Sequence, residues 1–61
     1  MHSRPTAVDD PHAAWHVMRV TFDEDCIEDS IRGYDRTDAM ANAVWNWPAA
    51  VCVQYVRPEH E

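Results

Sequence analysis

The stretch AWHVMRVTF, residues 14–22, decides the fold. His16, Met18, Val20 and Phe22 fall on one side of it, and Trp15, Val17, Arg19 and Thr21 on the other. Successive side chains of an extended chain point to opposite faces, so this period of two predicts a strand with one buried face. Arg19 and Thr21 belong in water, which assigns the core to the set beginning with His16.

The chain continues as DEDCIED, residues 23–29, with five acids in seven positions. Burying such a run would strip unpaired charges of water, so it predicts a solvated turn. Residues 27–34, IEDSIRGY, frame a second, weaker strand through Ile27 and Ile31, with Gly33 at a bulge or strand end. Asp35 then opens a helix as N-cap, with Asp38 as a shortened capping-box partner or Thr37 as an alternative cap. The helix is expected over residues 36–46. Asp38, Asn42 and Asn46 recur every four residues and are expected to draw a solvated polar stripe. Met40, Ala43, Val44 and Trp47 lie opposite and are expected to be buried. Pro48 stops the helix. Residues 49–56, AAVCVQYV, predict a third strand, with Val51, Val53 and Tyr55 on one face and Cys52, Gln54 and Val56 on the other.

A short link between the first two strands makes a hairpin, and a helix then returns the chain. The expected architecture is α+β: a β-β-α-β chain, a three-stranded antiparallel sheet in the order 2-1-3, and one helix on one face. A parallel pairing of strands two and three through a right-handed crossover is the alternative. On the N-terminal side, residues 1–12 carry Pro5 and Pro11 and predict an arm that stays flexible unless something docks it. The domain proper is expected at residues 13–57, with a polar tail at 58–61.

The chain has 61 residues and a net charge of −6. A domain this small buries only about 60% of the surface its unfolded chain exposes, so it needs tight packing, a cross-link or a partner. It contains no Lys and no Leu, and all five basic residues are Arg. That bias suits a GC-rich coding genome, such as that of an actinobacterium or its phages. Net negative charge disfavours direct nucleic-acid binding and anionic membranes, and a basic protein surface is the favoured partner. No apolar stretch approaches the ~20 residues of a membrane span, and residues 1–11 lack the apolar centre of a secretory signal. The expected location is the cytoplasm of a bacterial host cell, or a virion. Cys26 and Cys52 are expected to be free thiols there.

No catalytic or cofactor chemistry is expected. Ser3 and Ser30 lack a nucleophile elbow, and Gly33 is the only glycine, so no loop is built to cradle phosphate. His2, His12, His16 and His60 do not fall at zinc-ligand spacing with the two cysteines. Asp23, Glu24, Asp25, Glu28 and Asp29 lack the turn glycine and the bidentate Glu of a calcium loop.

Three tryptophans are heavy use for this length. Trp47 is expected in the core and Trp45 half exposed beside the polar stripe. Trp15 and Val17, with Cys52 and Val56, are expected on an open sheet face too apolar to leave in water. Trp15, Val17 and Trp45, with Asp23, Glu24 and Asp25, are therefore the candidate partner-binding residues, and a homodimer through the open face is expected.

Two resemblances accompany this reading. Arg32 to Ala43, RGYDRTDAMANA, with Asn46, Trp47 and Pro48, resembles the helix region of small actinobacteriophage proteins, along most of the chain from Trp15 to Arg57. That likeness implies no activity. Thr37 to Ala43, TDAMANA, is similar to the helix of the β-β-α-β half of HicB-like antitoxins, with Asp where Glu is usual. The expected function is a non-enzymatic, phage-encoded accessory protein that binds another protein. An acidic DNA mimic and an antitoxin module are the alternatives.

Overall fold

The computed structural model describes residues 6–60. Strand β1 spans Ala14–Thr21, β2 Cys26–Gly33, helix α1 Arg36–Asn46 and β3 Cys52–Pro58, preceded by one turn of 3-10 helix at Thr6–Asp9. The sheet is antiparallel in the order β2-β1-β3, with the helix on one face, as the alternation and the short hairpin predict.

The core forms between the helix and the sheet. Met18, Val20, Ile31, Ala39 and Ala43 are buried there, with Val8, Phe22, Met40, Trp47, Ala50, Val53 and Tyr55 packed around them. His16 is buried with them. Its Nε2 lies 3.1 Å from the carbonyl of Gly33 and its Nδ1 3.0 Å from the Tyr55 hydroxyl. A carbonyl only accepts, so Nε2 carries a proton and donates to Gly33, while Nδ1 shares a hydrogen bond with the Tyr55 hydroxyl. This is how a polar residue can occupy a core-facing position of β1.

The helix lies differently from the expectation. Its buried residues are Ala39, Asn42 and Ala43, while Val44 is 57% exposed. A Cβ on Gly33 would sit 2.5 Å from the Cα and N of Ala39, so helix and β2 touch main chain to main chain. Small residues permit that approach, and a bulky Val44 face would prevent it. Asn42 then turns inward because its Nδ2 donates to the Arg32 carbonyl at 2.9 Å. The polar stripe therefore supplies a buried bond instead of facing water.

The helix start follows the sequence closely. Asp35 accepts from the Asp38 N–H at 2.8 Å. Asp38 reaches back to the Tyr34 N–H, one residue before the cap, also at 2.8 Å. Strand β3 begins later than expected. Ala50 donates to the Trp47 carbonyl in a turn after the helix, and Val51 makes the first link to β1 through the Thr21 carbonyl. A register shift on β1 between Val17 and Met18 marks a bulge opposite, placing Arg57 rather than Val56 across from Val17.

The expected arm is docked where it is described. Ala7 is 1% exposed, Val8 packs on the core, and Tyr34 donates to Asp10 at 2.7 Å. The part of the arm before Thr6 lies outside the described residues. The expected tail also engages the fold: the Glu59 N–H donates to the Trp15 carbonyl at 3.0 Å.

Candidate interaction surfaces

The structure divides the six sequence-derived candidates between the two ends of the molecule. Trp15 lies at the start of β1 on the open face and is 37% exposed. The Arg32 guanidinium stacks over its ring at 4.6 Å, and the Arg32 Nε is buried without a hydrogen-bond partner among the described residues. Val17 is 8% exposed, so it is not available to a partner. Glu59, tied to the β3 side of β1 through Trp15, accepts from the Ser30 hydroxyl on β2 at 2.8 Å. That bridge spans β1 on the face that Val17 shares with its register partner Ser30.

The open face is consequently more polar than expected. Arg19 and Glu28 pair across it at 3.2 Å, both about half exposed, a contact worth under about 1 kcal/mol. At the β3 bulge Arg57 rather than Val56 is the register partner of Val17. Cys26 and Cys52 are free, exposed and flank Thr21 on this face. Two strand spacings set their Cα atoms about 9.6 Å apart. A disulfide spans no more than about 7 Å, so they cannot bridge within one chain without moving a strand.

At the opposite end, Asp23, Glu24 and Asp25 form the exposed tip of the β1–β2 hairpin, closed by the Phe22 N–H on the Asp25 carbonyl at 2.7 Å. The helix runs back from Gly33 and finishes at this end, which places Trp45, 51% exposed, there as well. Ile27, paired with Val20 next to the turn, Val44, and Val51, bonded to Thr21, are also exposed here. Carboxylates and apolar side chains thus share one end, while Trp15 and Val17 sit at the other.

Among the described residues no group of three or more His, Cys, Asp or Glu side chains gathers as a metal site would require. One carboxylate is electrostatically distinct. The Tyr34 hydroxyl, then the His12 N–H, hold the Asp10 carboxyl below its ordinary value of 3.8. No described helix is long and apolar enough to cross a membrane.

The sequence reading missed the finish of the sheet edges. Trp15 and Thr21 turn their carbonyls to β3, so odd residues of β1 bond β3 and even residues bond β2. On β2 this directs Ser30 and Arg32 outward. The Ser30 N–H is taken by the Asp29 carboxylate at 2.8 Å and the Arg32 carbonyl by Asn42. On β3 Arg19 bonds Gln54, which directs Val53 and Tyr55 outward. The available signal was the spacing of Ala39 and Ala43 beside the single glycine, which marks the close helix face and therefore turns Asn42 toward β2.

The chain matches no protein-family model, no curated protein and no solved structure.

Proposed function

We propose that this chain is a small non-enzymatic binding protein, and that it engages another protein through the end that carries the acidic turn and Trp45. The observation behind this reading is the shared position of exposed carboxylates at Asp23, Glu24 and Asp25 with exposed Trp45, Ile27, Val44 and Val51. Apolar anchors supply affinity once desolvated, and a field of one sign selects and steers a partner of the other. The partner chemistry that fits is a basic surface with apolar side chains among its charges. The Arg-only, Leu-free composition supports a phage accessory protein that acts on a host or virion component in the cytoplasm.

The test retains proteins from an actinobacterial lysate on the immobilised chain. Wild type is compared with Trp45→Ala, with a turn neutralised at Asp23→Asn, Glu24→Gln and Asp25→Asn, and with Trp15→Ala. The proposal expects a basic protein that binds wild type and Trp15→Ala and is lost from the other two, with retention falling as salt rises. Equal retention by all four chains would mean that the acidic end does not bind the partner.

A further inference from the structure

We infer that two copies of this chain pair through the outer edges of β3, antiparallel about a two-fold axis at Gln54, to make one continuous six-stranded sheet. This surface adjoins the acidic end and shares Val51 with it, but the tests separate the two readings, because the Gln54 variants keep the acidic turn and Trp45 while the turn and Trp45 variants keep the β3 edge.

The first support is main-chain chemistry. The ladder directs the N–H and C=O groups of Val53 and Tyr55 away from β1. No side chain among the described residues hydrogen-bonds them, whereas on β2 the outward Ser30 N–H is taken by Asp29 and the outward Arg32 carbonyl by Asn42. An unfinished edge is a template for another strand. The bulge beyond Tyr55 and the terminal Pro58 confine that template to the first part of β3.

The second support is register. An axis at Gln54 sets Val53 of each copy opposite Tyr55 of the other as reciprocal hydrogen-bonded pairs, because both present their main-chain groups outward. These are β-branched with aromatic pairs on the helix-covered face, a favourable cross-strand combination. Gln54 meets its own copy on the open face. The helix runs nearer β2 than β3, which leaves room for the second copy beside β3.

The third support is charge, which identifies a second copy as the occupant. Each chain carries −6, yet residues 52–56, CVQYV, have no charge at all. Self-pairing there puts no like charges opposite, whereas β2 would bring Glu28 and Asp29 together. The antiparallel arrangement also sets Arg57 of one copy level with Val51 of the other. Val51 is bonded to Thr21, two residues from the acidic turn, so the basic end of each β3 faces the acidic end of its mate. Exposed Val51 and Val56 would lie along the junction.

Sedimentation velocity over a concentration series tests this with wild type, Gln54→Lys and Gln54→Glu. Gln54 is exposed on the open face, so neither change disturbs the core, and far-UV circular dichroism checks the fold. Wild type is expected near twice 7.1 kDa. Each charged variant is expected to dimerise about tenfold more weakly, and an equimolar mixture of the two to regain the affinity. Hydrogen exchange at the Val53 and Tyr55 amides should slow as concentration rises. A wild-type chain that stays monomeric to about 1 mM would overturn the inference. So would a dimer indifferent to both charges at Gln54.

Discussion

The two outer strands of the sheet end differently. On β2, Asp29 and Asn42 take the outward Ser30 N–H and Arg32 carbonyl, the helix lies closest, and the 3-10 segment packs alongside. On β3, Val53 and Tyr55 direct their main-chain groups outward with no side-chain hydrogen bond among the described residues. Asp29 adds a charge on the helix-covered side of an edge strand, a recurrent defence against edge-to-edge association. One flank thus has two of its outward main-chain groups taken by the chain itself, and the other has none taken by a side chain at Val53 and Tyr55 among the described residues. A small sheet gains stability from the first arrangement, and the second is the edge on which the proposed dimer rests.

The largest expected effect breaks the β2 flank at its tightest point. In Gly33→Ala the new methyl would meet the Ala39 main chain at 2.5 Å, where no flexible side chain can yield. Pushing the helix off β2 should cost about 3 kcal/mol. A chain of 61 residues holds roughly 3–9 kcal/mol in total, so much of the stability goes with it. Urea unfolding measures this, and a loss under about 1 kcal/mol would show that the helix can move away from β2 at little cost.

A smaller effect is expected from the Asn42 bond on that flank. Asn42→Ala leaves the Arg32 carbonyl without its donor and should cost about 1–2 kcal/mol. Asn42→Asp should cost more, because a carboxylate cannot donate to that carbonyl and would lie beside Asp38. Thermal melts of the three chains give the order. A variant as stable as wild type would mean the bond only replaces one to water. If opening this edge also makes Asn42→Ala associate as concentration rises, the contrast between the flanks is sharpened.

These contrasts show what the sequence could and could not reveal. The strands were legible because residues 14–22 keep a period of two and because Asp35 and Pro48 bracket the helix. The orientation of the helix was not. Judged by polarity, Asn42 belongs in water with Asp38 and Asn46, and Val44 in the core. The decisive fact is a contact between Gly33 and Ala39, which pattern reading does not weigh. The burial of Val17 was not legible for a related reason: alternation assigns its face, but the Glu59–Ser30 bond on that face joins residues far apart in sequence. The exposure of Asp23, Glu24 and Asp25 follows from charge alone, and so was legible, as was the partial exposure of Trp45.

The smallest expected effect concerns how the N-terminal segment is fastened to the β2 flank. Asp10 accepts from the Tyr34 hydroxyl and from the His12 N–H, both of which favour the carboxylate. Its folded pKa is lowered, so the stabilisation is present above the ordinary value of 3.8 and is lost as pH falls through the lower folded value. Tyr34→Phe removes the first cause and Asp10→Asn the titrating group. The carboxyl chemical shift of Asp10, followed by NMR from neutral to acid pH, should move back toward an ordinary midpoint in Tyr34→Phe. The Ala13 N–H, which donates to the Asp10 carbonyl, should exchange faster at acid pH in wild type but not in Asp10→Asn. An Asp10 midpoint unchanged by Tyr34→Phe would mean that the hydroxyl does not hold the segment. The docking would then rest on the burial of Ala7 and the packing of Val8 alone, and the β2 flank would owe its N-terminal cover to apolar contact rather than to a hydrogen bond.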